Sequence, residues 1–469
     1  MQAKGSRRPR IAVIGSGISG LGASWLASRQ ADVSIYEAVG RPGGHSCTVD
    51  VEVGGDNIAV DMGFIVYNER AYPNLVALFD HLGVATEDSN MSLAISLDAG
   101  RFEYGGGSLR QLFAQKRNAV SPRFWSMVRD IVRFYRSAPT HVAQLTRDDM
   151  TLGDYLAHYR YGEAFRDDHL LPMAAAIWSV ARDEVLDFSA VSFIRFHENH
   201  GLLKLTNRPF WRTVSGGSRS YVERVLADCT AKVHLGTRVV RVIREPDGVL
   251  VVTEQGARER YDHVVLATHA DRALDLIEQP TRAEARVLGN FRYNQNEVVL
   301  HSDPAQMPHR QSVWSSWNYV GESRGPGTER LTVTYWMNLL QNLKSERPLF
   351  VTLNPDREPR SDTVHQTMMF EHPIMNREAI AAQQELWSLQ GEGGVWFAGA
   401  HFGAGFHEDG LQAGLAVAEQ MTGARRPWTV DEPSGRIFCE TGKARRAAEE
   451  MAAGRDAPRS MSAMWSTRD

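Results

Sequence analysis

A short apolar run, Ile11-Ala12-Val13-Ile14, leads directly into Gly15-Ser16-Gly17-Ile18-Ser19-Gly20, and this junction constrains the chain more than any other stretch. Four consecutive apolar residues without helical spacing predict a buried parallel strand. The stretch 21–29, rich in Ala, Leu and Ser, predicts a helix. In such a unit the first glycine makes the tight turn and the second lets backbone N–H groups approach a pyrophosphate. The third lets helix and strand pack closely. The helix N-terminus adds partial positive charge. A second predicted strand, 33–36, ends at Glu37, 22 residues after Gly15, where a carboxylate can accept ribose hydroxyl bonds. An incidental Gly-rich turn requires none of these companions.

Length and composition bound the remainder. A chain of 469 residues exceeds a single core, so two intimately joined domains are expected. Hydrophobic content of 43% and charged content of 23% match an ordinary soluble globular protein. The net charge of −4 gives no reason to expect nucleic acid. Cys47, Cys229 and Cys439 lack paired spacing, which argues against a disulfide framework and a metal site. Arg7, Arg8 and Arg10 run into the first strand without an apolar leader segment, and no run of about 18 apolar residues follows. The expectation is a cytoplasmic protein, soluble or peripheral on the inner face of the membrane.

Further glycine clusters extend the dinucleotide signal. After Glu37 comes Ala38-Val39-Gly40-Arg41-Pro42-Gly43-Gly44-His45, and Val60-Asp61-Met62-Gly63-Phe64 closes another apolar strand on a glycine. Near the other end, Gly394-Val395-Trp396-Phe397-Ala398-Gly399-Ala400-His401 precedes Phe406-His407-Glu408-Asp409-Gly410 and a helix expected over 411–421. That second strand–glycine–helix junction makes another cradle for an anion or carbonyl. One dinucleotide gripped by both ends of a chain calls for a long cofactor, and FAD has the greater reach.

The combination GSGISG, EAVGRPGGH, DMGF and WFAGAHFGAGFHEDGLQAG resembles the flavin amine oxidase and phytoene desaturase superfamily. A closer resemblance, through VDMGFIVYNERAYPNL, AAAIWS, FHENHGLL, WRTVSGGSRSYVE, VTYWMNLLQNL and FVTLNP, is to bacterial FAD-dependent proteins encoded beside cyclopropane-fatty-acid synthases. These include desaturases of methylated fatty acyl chains. The resemblance implies that Gly15, Gly17, Ile18, Ser19 and Gly20 hold the pyrophosphate, with Glu37 and Ala38 at the adenosine ribose. Arg41, Gly43, Gly44 and His45 would follow the phosphate and ribityl region, with Gly63 and Phe64 near the flavin ring. Val239, in a strand at 237–243, would pair adenine through its main chain. Gly399 and Ala400 would approach the ribityl or phosphate, and the backbone of His407 and Glu408 the pyrimidine end of the ring. FAD is expected to be non-covalent, Cys47 not being where the family's covalent cysteines sit.

The implied fold is α/β: a discontinuous Rossmann-like FAD-binding domain with an inserted α+β substrate domain. The expected FAD-binding segments are 1–70, 210–270 and 393–428, with a small β-meander in the middle one. Substrate segments are 71–209 and 271–392, and 429–469 is a polar tail with a helix near 443–453.

The stretch 122–141 has Phe124, Val128, Ile131 and Tyr135 at helical spacing, with Arg129, Arg133 and Arg136 opposite. Residues 110–141 carry seven basic side chains against one acid, Asp130. Two readings stand: an amphipathic helix with solvated arginines, or a basic surface for anionic lipid.

For chemistry, amine oxidases of the resembled superfamily place a lysine near the flavin on a strand that corresponds to 293–300, where this chain has none. His407 stands where one caging tyrosine is expected. Phe64, Trp178, Phe193, Phe196, Trp211, Trp314, Trp317, Tyr335 and Trp336 suit an apolar tunnel. Glu198 or His200, in Phe196-His197-Glu198-Asn199-His200-Gly201, is a possible proton acceptor beside the hydride-accepting flavin, and Tyr67 and Asn68 are further lining residues. The same cluster also fits a helix end with Gly201 as its left-handed terminator. The expected activity is oxidoreduction of a fatty-acyl or phospholipid substrate, with electrons passing to oxygen or a quinone-linked acceptor. A redox-neutral double-bond isomerase and an amine oxidase are the alternatives.

Overall fold

The computed structural model describes residues 7–144, 150–204, 207–321 and 332–439, so the helix expected at 443–453 lies outside the described residues. Arg10–Ile14 is the central strand of a five-stranded parallel sheet. Asp32–Tyr36 and then Lys232–His234 lie to one side of it, His263–Leu266 and Val395–Phe397 to the other. Val13 pairs with Ile35 on one side and with Val265 on the other. The strand is buried on both faces, which is why its sequence is uniformly apolar rather than alternating. Strand order reverses beside Arg10–Ile14, and at such a switch a crevice opens at the carboxyl ends of the strands.

The helix Ile18–Ala27 is buried along its whole length, between the sheet and the last helix, His407–Thr422. Glycines make that crossing possible: a Cβ on Gly414 would lie 2.1 Å from the Ser19 carbonyl oxygen, and one on Gly410 would lie 2.7 Å from Ser19 Oγ. The two helix N-termini therefore meet at the same crevice.

The expected meander is present as Val239–Glu245, Gly248–Thr253 and Arg258–Tyr261. His263–Leu266 leaves it for the parallel sheet, because a strand apolar on both faces needs neighbours on both.

A seven-stranded mixed sheet faces the crevice, in the order Val364–Ile374, Arg292–His301, Phe350–Leu353, Thr332–Trp336, Trp317–Gly321, Leu93–Leu97, Phe102–Gly105. Helices between 122 and 199 close over it and share their own core around Phe134, Tyr155, Phe165 and Phe193.

Four expected boundaries shift. Ala270–Leu276, Arg282–Leu288 and Arg377–Leu386 fall within the predicted substrate segment, yet their apolar faces enter the core of the parallel sheet. Ala273, Val287, Leu288, Ala382 and Leu386 are the buried contacts. Pro73–Leu82 behaves likewise through Leu75, Leu78 and Phe79. The segment 429–439 is no free tail either: Ile437 is buried in the same core, and Arg436 pairs with the buried Asp409 at 2.6 Å.

Candidate active site

A cavity of about 1120 Å³ runs from the parallel sheet to the mixed sheet and the helical cluster. At one end it is walled by Gly15, Gly17, Ile18 and Ser19, with Glu37, Ala38, Arg41 and Val239. Gly44, His45, Gly63, Phe64, Gly399, Ala400 and His407 continue the wall. Thus most of the residues expected at the cofactor share one surface, although they come from segments far apart in the chain.

Backbone geometry explains the glycines. Gly15 has φ +100°, and a Cβ there would meet the Ala267 carbonyl oxygen at 2.6 Å. Around Gly17, by contrast, a Cβ would find nothing within 4 Å, so this turn opens onto the cavity. The helix that starts at Ile18 has neither a side-chain cap nor an acid in its first turn, which leaves its N-terminal N–H groups available to an anion. Glu37 accepts from the Ser16 backbone at 3.0 Å, from Ser16 Oγ at 2.5 Å and from the Val39 backbone at 3.1 Å. These bonds orient its carboxylate at the rim of the cavity.

Gly20, Gly43 and Glu408 do not line the cavity. Gly20 is pressed on Gly15, a Cβ there falling 2.0 Å from the Gly15 carbonyl oxygen. Gly43 makes the turn that holds Ser16, donating to the Ser16 carbonyl at 3.0 Å. Glu408 is buried and turned away: its carboxylate accepts the N–H groups of Asn74 and Leu75, both at 3.0 Å, and caps Pro73–Leu82. The last helix starts at His407, earlier than the sequence suggested, because Asp409 accepts the Phe406 N–H at 2.8 Å.

Seven histidines border the cavity: His45, His169, His200, His269, His372, His401 and His407. Burial lowers all of them, His372 to about 4 and His169, His401 and His407 to about 3, which favours the neutral imidazole, although at His269 the Glu371 carboxylate, 3.1 Å away, opposes it. His407 stacks on Phe64 with ring centroids 3.8 Å apart and shares Ser46 and Tyr221 hydroxyls. The buried Nε2 atoms of His45 and His401 have no partner in the protein. Orphaned polar atoms beside a glycine-lined cradle fit a long, hydrogen-bonding dinucleotide such as FAD.

The far half of the cavity is aromatic. Trp178, Phe196, Phe406, Trp211, Trp317 and Tyr335 line it. Phe196 packs on Phe406 at 4.8 Å and on Trp178 at 4.5 Å. Phe193, Trp314 and Trp336, also expected here, are not among the lining residues. No lysine lines the cavity among the described residues.

The proposed proton acceptors separate cleanly. Ala190–Asn199 is a helix, His200 is its C-cap and Gly201, at φ +67°, ends it. Helical phase turns Glu198 to solvent and His200 inward. Glu198 therefore has no access to the cavity. His200 Nδ1 donates to the Phe196 carbonyl at 2.9 Å, and its buried Nε2 faces the cavity without a partner. Tyr67 is buried behind the wall, edge-on to Tyr72 and Phe79, and it is Tyr72 that reaches the cavity. Cys47 is likewise turned away, toward Met368 Sδ at 3.5 Å. His169, His269, His372 and His401 escaped the sequence reading because they share no spacing, and Phe406 because it precedes a more conspicuous histidine.

A family model described as flavin containing amine oxidoreductase matches residues 18–339. A Mycobacterium tuberculosis protein named as a candidate flavin-containing monoamine oxidase, AofH, is 24% identical over 359 residues, 75% of this chain and 71% of that one. Solved structures with the same fold include a CLA-producing fatty acid isomerase from P. acnes (TM-score 0.61, 15% identity, 88% of this chain and 99% of that one). A putrescine oxidase is similar to the same degree (TM-score 0.61, 15% identity, 88% and 98%).

Proposed function

This chain belongs to the flavin containing amine oxidoreductase family, FAD is its cofactor, and we propose that it takes hydrogen from an apolar acyl chain rather than from an amine. The observation that carries this reading is the wall of the far cavity: aromatic side chains and neutral imidazoles, without a lysine among the described residues. Such a surface desolvates a hydrocarbon at little cost and gives a hydrated ammonium ion only ring faces and neutral acceptors such as His200 Nε2, the lining carboxylates Glu37, Asp275 and Glu371 standing outside this aromatic set.

We assign the turn from Gly15 to Ser19 to the pyrophosphate, Glu37 to the ribose, Val239 to adenine, and Phe64 with His407 to the flavin ring. Bound there, FAD supplies a two-electron hydride acceptor. The uncapped N-terminus of Ile18–Ala27 favours negative charge at the phosphates. Trp178, Phe196 and Phe406 exclude water and hold the chain. His200 accepts the proton at Nε2, its Nδ1–H being committed to the Phe196 carbonyl. Loss of hydride and proton from adjacent carbons leaves a C=C bond in the product, a desaturation. Arg208, at the cavity edge with its charge felt by Tyr135 and His169, suits the anionic end of a free acid or phospholipid.

Amine oxidation is the second reading, favoured by the AofH similarity. Anaerobic mixing separates the two. Bleaching of the flavin by unsaturated or methyl-branched acyl lipids, with a new double bond in the lipid, is expected. A shifted double bond with the flavin still oxidised would mark an isomerase. Faster bleaching by amines than by lipids would overturn the proposal.

A further inference from the structure

Of the arginine stripe that its sequence suggested, the helix Pro122–Gln144 leaves Arg129 and Arg136 exposed, whereas Arg133 is partly covered. Arg123 pairs with the buried Asp168 at 2.7 Å, and Arg133 lies over the Tyr161 ring at 4.0 Å while facing Asp130. Further uncompensated charge lies just before that helix. Arg110, Lys116 and Arg117 are exposed with no carboxylate within 4 Å among the described residues, and the sequence has no acid between Glu103 and Asp130.

The same corner exposes large apolar side chains. Leu109 is 75% exposed, Val120 82% and Trp125 48%. They belong to one surface: Trp125 Nε1 donates to the Ala119 carbonyl at 2.8 Å, and its ring meets Phe113 at 5.8 Å. Phe113 in turn bonds back to the Leu109 carbonyl at 3.1 Å. Ser108 caps Leu109–Leu112 by accepting the Gln111 N–H, which holds Leu109 outward on a defined turn. Tyr104 and Gly106, just upstream, line the cavity, so its wall passes directly into this corner.

We infer that residues 109–125 form a docking surface for an anionic phospholipid bilayer. Leu109, Val120 and Trp125 enter the headgroup boundary, and Arg110, Lys116 and Arg117 meet lipid phosphates. Uncompensated cations around protruding aliphatic and indole side chains are what an anionic interface attracts. Residues 109–125 themselves carry no acid with which a protein partner of mixed charge could pair. The inference is independent of the substrate: an amine oxidase could carry the same surface.

The test is co-sedimentation of the FAD-loaded protein with vesicles of phosphatidylcholine alone or mixed with phosphatidylglycerol. Binding to the mixed vesicles only, weakened by salt, is expected. The R110E/K116E/R117E variant should lose about 100-fold or more in partitioning, and L109S/V120S about tenfold, both with unchanged flavin content and melting temperature. Failure of the wild type to bind mixed vesicles at low salt, or equal binding by the charge variant, would overturn the inference. So would concentration-dependent self-association that L109S/V120S abolishes in the absence of vesicle binding, which would give the face to a second copy. Turnover of a soluble substrate by both variants keeps this result separate from the catalytic reading.

Discussion

Gly414 and Ser19, almost four hundred residues apart, touch so closely that a single methyl group between them would sit 2.1 Å from the Ser19 carbonyl oxygen. This contact brings the first and last helices together at the cofactor crevice. Gly414→Ala should therefore cost about 3 kcal/mol by overpacking against backbone, which cannot yield as a side chain can. Thermal unfolding monitored with and without added FAD should show both a lower melting temperature and lower flavin retention.

Gly17 should behave in the opposite way. The position of its Cβ is empty, and its backbone is extended at φ −65°, so Gly17→Ala should alter apo-protein stability by less than about 1 kcal/mol. The added methyl points into the cradle and should weaken FAD binding by about ten- to a hundredfold. Titration of the apoprotein with FAD, followed by flavin fluorescence, measures this. Undiminished affinity would place the pyrophosphate elsewhere.

His200 carries the proposed proton transfer. His200→Leu should slow substrate-driven flavin reduction by about 10²–10⁴-fold with FAD content unchanged. Burial holds the imidazole well below its ordinary range, so in the wild type it stays neutral across and above that range. Stopped-flow rates in that range should show no inflection belonging to it.

Asp61 gives the fold a pH dependence. Burial is the main cause that pushes its carboxyl up to about 6, against bonds from Thr48 and Ser218 that favour the anion. Between the unfolded value near 4 and the folded value, the native state holds a proton that the unfolded chain has released. Stability from this group is therefore full below about pH 4 and falls by about 3 kcal/mol as pH rises to about 6. Urea unfolding of the wild type should show that downward slope relative to Asp61→Asn. A difference that stays flat with pH would show that Asp61 is ionised throughout.

Local patterns carried the parts of this protein that could be read directly. Strand 10–14, its glycine turn and the following helix are recognisable because period, turn chemistry and the carboxylate at Glu37 all lie within one short segment. The strand–glycine–helix unit near the C-terminus is legible for the same reason. Glu198 and His200 were equivalent in the sequence, being two residues apart in one polar cluster. Only the rotation of their helix against Trp178 and Phe406 made one a surface group and the other a cavity-lining group. Tyr67 and Tyr72 were exchanged similarly, since both are buried and the wall passes between them.

What the sequence by itself determined is the chemistry of the cofactor cradle, because glycines that must bend or approach backbone closely leave their mark at fixed local spacing. Tertiary structure alone decided the far, aromatic half of the cavity. The imidazoles of His169 and His200 and a set of aromatic rings from distant segments converge there by packing, and burial then disfavours charge on the imidazoles. Neither convergence nor desolvation has any spacing along the chain by which it could be read.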